Sequence, residues 1–296
     1  MNIRDADTVI DTLLRGAHAN MHAKCRRGST DQIAPPGELI ALGDLHDNPR
    51  HFARVLDLAA IDPPPSAADT PAHLLLQELI HPDELEFENL DYSYRALVRA
   101  ASAKAAFPEH VHTLLANHEL AQIAGAGIVK NGMNVVKAFN AGVHHLFADR
   151  AGDVTSAINT FIRSMPLAVR WKHGCTDGRD VLCAHSLPAP ELLERFDTSI
   201  LDRQWTDDDA IPRRGSAHLM VWGRAHDQAT LSTLADAWNV GLFLLGHEKA
   251  EHGALPVGDN ALVLNTDHAR AIYLPLDLAC AVDQQSAWRA VRPLFD

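Results

Sequence analysis

Apolar residues recur at helical spacing from 5 to 21, where Val9, Ile10, Leu13, Leu14 and Ala17 share one face, and this predicts an amphipathic N-terminal helix. Pro35, Pro36 and Gly37 close the polar segment that follows, and the apolar run 38–43 predicts a first buried strand. A helix is expected over 50–60, ended by the Pro-rich stretch 61–71, with a second strand at 73–77. Residues 84–106 read as helix and 110–116 as a third strand. Buried strands alternating with helices predict a largely parallel sheet, whose ligands gather beyond the carboxyl ends of its strands. The Ala-rich stretch 119–165 carries no strand pattern and predicts a helical insert or lid. Beyond it, MPLAVRWKH and RDVLCAH flank GCTDG as a β-hairpin would. Short strands expected at 217–222, 241–245, 261–265 and 270–275 then imply a second sheet. No repeat or linker interrupts the chain, so 1–296 is read as one domain, with 1–36 as an N-terminal helix and lead-in.

Composition narrows the function classes. A chain of 296 residues, 47% hydrophobic, can bury a full core. Its formal net charge of −12, with no run of Lys and Arg, argues against a nucleic-acid partner. No apolar stretch approaches the roughly 20 residues needed to span a bilayer, so no membrane partner and a cytoplasmic location are expected. Cys25, Cys175, Cys183 and Cys280 are scattered without a paired spacing, which predicts reduced thiols rather than a disulfide framework or a zinc ribbon.

Histidine is over-represented, 18 against three tyrosines, and position gives that number its meaning. Asp44 and His46 follow ELIALG, Glu78 follows LLLQ, Asn117 and His118 follow TLLA, His185 follows DVLCA, and His247 follows FLLG. Each of these alone reads as a turn residue. Five polar sets at the ends of buried runs, mixing carboxylate, amide and imidazole, suit two hard or borderline cations such as Mn, Fe or Zn.

These segments stand as GDLHDN, QELIHPD, ANHE, AHSL and GHEKAEHG, and in order and type they resemble the calcineurin-like metallophosphoesterases. The likeness is greatest to the phosphoprotein-phosphatase branch with small bacterial and phage Ser/Thr phosphatases, and it covers roughly residues 38–275. The resemblance implies a four-layer α/β/β/α sandwich of two mixed sheets flanked by helices. It implies two divalent metal ions (Mn, Fe or Zn), the first held by Asp44 and His46, the second by Asn117, His185 and His247, with Glu78 bridging. It also implies hydrolysis of a phosphate monoester, on a phosphoprotein or a small phosphorylated molecule, by a metal-bridging hydroxide, with His118 protonating the leaving oxygen. Arg224, in LMVWGRAHD, resembles an arginine near the phosphate, and Arg50 is a second substrate-binding candidate.

The second motif departs from the family. His81 and Pro82 stand where the family has the Asp that orients the catalytic histidine and the Arg that grips phosphate. Glu78 is one methylene longer than the family's Asp. Asp47 replaces a Gly and is read as a helix N-cap or as a carboxylate supporting the ligands, and His81 is placed in the same supporting layer. Ala116 replaces a Gly, which is tolerated unless that backbone needs positive φ. Asp267 is expected to be structural. Because the phosphate-gripping residues are the degraded ones, a catalytically weak or inactive relative, a metal-holding scaffold for a phosphorylated ligand, is the alternative to the phosphatase.

Overall fold

The computed structural model of the chain describes residues 1–62, 70–82, 89–125, 128–130 and 133–295. Helix α1 (Ala6–His22) is capped by Asp5, whose carboxylate accepts the Thr8 amide, and two short strands, β1 (Arg26–Arg27) and β2 (Thr30–Ile33), follow it. The next segment runs β3 (Glu38–Ala41), α2 (Pro49–Leu58), β4 (His73–Leu76), α3 (Tyr94–Ala106) and β5 (Val111–Thr113). It continues through α4 (Asn117–Ala124), the paired β6 (Val129–Lys130) and β7 (Met133–Asn134), α5 (Val135–Phe147) and α6 (Ala151–Ser164). The remainder is β8 (Ala168–Trp171), β9 (Asp180–Ala184), α7 (Ser216–Trp222), α8 (Gln228–Trp238), β10 (Val240–Leu245), β11 (Ala254–Val257), β12 (Ala261–Leu264), β13 (Ile272–Asp277), α9 (Gln284–Ala290) and β14 (Arg292–Pro293).

Two mixed sheets form the frame. One has the order β14-β13-β3-β4-β5, with β3, β4 and β5 parallel and β13 antiparallel to β3. The other has the order β1-β2-β8-β9-β10-β12-β11, in which β8 and β9 are the antiparallel hairpin partners and β9, β10 and β12 run parallel. Alternation within each strand divides the core. Leu39, Ala41 and Leu75 of the first sheet join Val181, Cys183, Leu242 and Leu244 of the second in one apolar cluster between the sheets. Their neighbours Ile40, Leu74, Leu76, Leu182, Phe243 and Leu245 face the other way, into the cluster shared with the helices. Burial on both faces is why these strands read as unbroken apolar runs. The result is the expected sandwich of two mixed sheets between helices.

Some elements differ from the sequence expectation. Residues 216–222 form a helix, not a strand; Ser216, Ala217, Leu219, Met220 and Val221 are buried, a spread that suits a short helix covered on most sides. A short apolar run does not distinguish the two states by periodicity, and packing chose. Thr30–Ile33, placed in a breaker segment by its polar residues, pairs in parallel with β8, where Asp31 is fully buried. The 119–165 stretch contains the β6–β7 pair, and its α6 packs against α1 as part of a helix layer. The helix expected over 84–106 is described from Tyr94, and residues 84–88 of that expectation lie outside the described residues.

The N-cap of α2 is Asn48, not Asp47. Its side chain accepts the amides of Arg50 and His51, while Asp47 turns inward and accepts from Arg95 Nε at 3.0 Å. Asn48→Ala should therefore cost about 1 kcal/mol, read as a shift in denaturation midpoint, with the Asp47–Arg95 pair intact.

Candidate metal centre

The polar residues at the strand ends converge. Glu78 lies at the middle: its Oε1 is 3.4 Å from His46 Nε2 and 3.3 Å from His118 Nε2, and its Oε2 is 3.0 Å from His185 Nε2. His185 Nε2 is also 2.7 Å from Asn117 Oδ1 and 3.2 Å from His247 Nδ1. Asp44 Oδ1 accepts the His247 amide at 3.0 Å and lies 3.7 Å from His185 Nδ1. Two groups with metal-ligand spacing share Glu78: His46, Glu78 and His118, and Glu78, His185 and His247.

Whether these residues fit an ion is answered by proton counting. The single Nε2 of His185 is within hydrogen-bond range of an amide oxygen, a carboxylate oxygen and an imidazole nitrogen, and one N–H cannot serve all three. Ligands at right angles around an ion with bonds of about 2.1 Å are separated by about 3 Å, which is the spacing these atoms have. Among the described residues, buried His247 Nε2 has no hydrogen-bond partner. The residues therefore fit a cation.

Electrostatics agree with ligation. Burial pushes the Glu78 carboxyl up, but the imidazoles of His46, His185 and His118 outweigh it and hold the group well below the usual carboxylate range. Burial and the neighbouring His185 lower His247 to about 2, so its imidazole is neutral with a lone pair to donate. Burial and the Glu78 charge raise Asp44 to about 7; a cation beside it would reverse that by favouring the ionised form.

Local backbone accounts for the aim of these side chains. His46, Asp47, Glu78, His81 and His247 all have positive φ, between 44° and 67°. Non-glycine residues rarely adopt this region, and holding each there costs about 1–3 kcal/mol, which the surrounding structure must supply. Glu78 O accepts the amides of Leu45 and His46, locking the first two strand ends together. The Glu119 carboxylate accepts Leu79 and Ile80 from beneath. Gly246 is required by close approach, since a Cβ there would meet Gln77 Oε1 at 2.7 Å and Asp44 Oδ1 at 2.8 Å. Gln77 in turn accepts at Oε1 from His185 Nδ1, fixing which ring nitrogen faces Glu78. Ala116 has φ −115°, so its departure from Gly carries no strain.

The remaining candidates are placed as follows. Arg224 is exposed and its Nη1 donates to His247 O at 3.0 Å, beside a cavity of about 560 Å³ also lined by Trp222, His218 and Leu192. The Arg50 guanidinium lies 4.3 Å above the Phe295 ring. His81 is fully buried, donates from Nδ1 to Asp91 Oδ2 at 2.8 Å, and its ring centroid is 5.3 Å from that of His118. Asp267, expected to be structural, has Oδ2 3.8 Å from His46 Nε2, with Oδ1 held by Asn265 at 2.6 Å. Sequence reading missed Gln77 and Asp91. Gln77 adjoins Glu78 at a strand end and carried that signal; Asp91 carried none.

A third group, Cys25, Asp31 and His112, lies apart from the strand-end cluster. Asp31 there is already matched by Lys104 and Arg26, each at 3.6 Å, and by His112 Nδ1 at 2.8 Å. Two cations around one carboxylate leave no anionic excess for a metal, so this is an ion-pair network joining β2 to β5 and α3. All four cysteines are free thiols, and burial pushes Cys25, Cys175 and Cys183 up to about 12, as inert thiols should be.

No protein-family model and no curated protein sequence matches the chain. Solved structures do. A protein serine/threonine phosphatase from Saccharomyces cerevisiae with similarity to human phosphatase PP5 aligns at TM-score 0.61 and 12% identity, over 92% of this chain and 83% of that one. A cold-active protein-tyrosine phosphatase from a psychrophilic Shewanella species aligns at TM-score 0.55 and 14% identity, over 87% and 80%. At such identities the likeness is one of architecture: a sandwich of two mixed sheets flanked by helices.

Proposed function

We propose that the chain is a metal-dependent phosphoesterase that hydrolyses phosphate monoesters. The observation that carries this reading is Glu78 lying between His46 and His118 on one oxygen and His185, with Asn117 and His247 close by, on the other. Two divalent cations held by these groups would supply the positive charge that draws in a phosphate and acidifies water at neutral pH. Asp44 and His46 are the proposed holders of the first cation, Asn117, His185 and His247 of the second, and Glu78 the shared carboxylate. An anion between two cations offsets their mutual repulsion.

His118 is the proposed acid. Its Nε2 faces the cluster, where an N–H can be given to a leaving oxygen. Arg224, at the rim of the cluster, is the proposed phosphate contact. Phosphorylated substrates, protein or small molecule, are the implied partners; both structural neighbours are protein phosphatases.

The test is release of phosphate from p-nitrophenyl phosphate and from phenyl phosphate with added Mn. His118→Ala should lower kcat on phenyl phosphate by about 10²–10⁴-fold, the range of a general acid, and on p-nitrophenyl phosphate far less, since that leaving oxygen hardly needs the proton. Equal rates of the two proteins on phenyl phosphate would remove this assignment. One observation favours a second reading, a scaffold that holds metal and a phosphorylated ligand without turnover: Arg50 is engaged by Phe295 and Pro82 supplies no charge. Two bound cations with no hydrolysis across a panel of phosphate esters would select it.

A further inference from the structure

Behind His118 lies a buried acid–imidazole pair that the strand-end pattern did not contain. Asp91 Oδ2 is 2.8 Å from His81 Nδ1, and neither side chain has any exposure. The pair is braced: Asp91 Oδ1 accepts the Ser93 amide at 2.7 Å, and Ser93 Oγ accepts the His81 amide at 3.1 Å. His81 is held at φ 63°, a conformation that a histidine adopts only when its surroundings impose it. Phe139 packs edge-on against the ring at 5.6 Å and limits its rotation.

The consequence for the proton positions is definite. A carboxylate cannot donate, so the bond to Asp91 keeps the hydrogen on His81 Nδ1 and makes Nε2 the accepting nitrogen. The His81 and His118 ring centroids are 5.3 Å apart, tilted by 52°. His81 thus stands between the Asp91 carboxylate and the His118 ring.

We infer that Asp91 and His81 are positioning residues for His118: Asp91 fixes the orientation of the His81 ring, and His81 packs against the His118 imidazole and holds its orientation from behind. The inference rests on the phosphoesterase reading for its catalytic consequence. It relocates the missing carboxylate of the second motif rather than leaving its place unfilled.

The experiment compares wild type, Asp91→Asn, His81→Phe and His81→Asp on two esters that differ in leaving group, with bound zinc or manganese measured for each. Loss of support for the acid should matter most where the leaving oxygen needs a proton. Asp91→Asn and His81→Phe are expected to lower kcat on phenyl phosphate by about 10–100-fold, the usual effect of removing an outer-layer partner. KM should stay within about twofold and p-nitrophenyl phosphate should be affected little. His81→Asp, which puts a carboxylate behind His118 directly, should retain most of the phenyl phosphate rate. Equal losses on both esters, or none on either, would overturn the inference while leaving the phosphoesterase reading intact. Histidine ¹⁵N spectra of the zinc-loaded protein, assigned with His118→Ala, give a readout that does not depend on turnover. Asp91→Asn should move the His81 and His118 resonances together, and an unchanged His118 resonance would also overturn it. Wild type inert on every ester would instead fail the function reading, with the spectra still deciding the coupling.

Discussion

Glu78→Gln should abolish the paired metal binding and lower phosphate release by about three orders of magnitude, close to 4 kcal/mol of lost transition-state stabilisation. The substitution keeps the side chain's length and volume but removes the charge that lies between both groups of ligands. Glu78 sits within 3.4 Å of imidazole nitrogens from His46, His118 and His185, and its ionisation is what lets them surround cations. A glutamine would present an N–H2 group to one side, where an imidazole lone pair or a cation is needed. Metal content measured alongside the rate separates cause from consequence. A Gln variant that still binds two cations with wild-type affinity would remove Glu78 from the bridging role. Glu78→Asp keeps the charge and shortens the reach, and should fall between wild type and Gln in both measurements.

Asp31→Ala should destabilise the native state by about 3–5 kcal/mol, the usual cost of leaving buried charges unmatched. Lys104 is fully buried and Arg26 is nearly so, and both have Asp31 as their carboxylate partner. Against a total stability of about 5–15 kcal/mol this is a large fraction. The loss depends on pH in a defined direction. Burial raises the Asp31 carboxyl, but the His112 hydrogen bond and the Lys104 charge outweigh it and bring it from 3.8 to about 2. A lowered carboxyl pKa stabilises the fold fully above its unfolded value, so the contribution is complete above about pH 4 and is lost as pH falls toward 2. Urea denaturation of wild type and variant should therefore differ most at pH 7 and converge at pH 2. A constant difference across that range would show that the loss comes from packing.

Both effects arise from groups the sequence treats very differently. Glu78 was legible because it ends an apolar run, as do Asp44, Asn117, His185 and His247, and a parallel sheet presents such positions at one edge. Asp31 was not legible: it lies in a polar stretch between a helix and two prolines, and only pairing of β2 with β8 buries it. The short helix at 216–222 was misread because six apolar or small residues fit either period, and the decision belonged to the surfaces on both sides of it. Asp47 was misassigned by one position, since Asp and Asn both cap helices and neither side chain's direction is written in the sequence.

The sequence by itself determined the two-sheet frame, because strands buried on both faces must be continuous apolar runs, and it determined which residues stand at their carboxyl ends. Only the tertiary structure decided where those residues point. Three of them, His46, Glu78 and His247, are held at positive φ by neighbours distant in the chain, and no residue type at those positions announces it. Asp91 reaches His81, and Gln77 reaches His185, through contacts that exist only after the sheets and helices have packed.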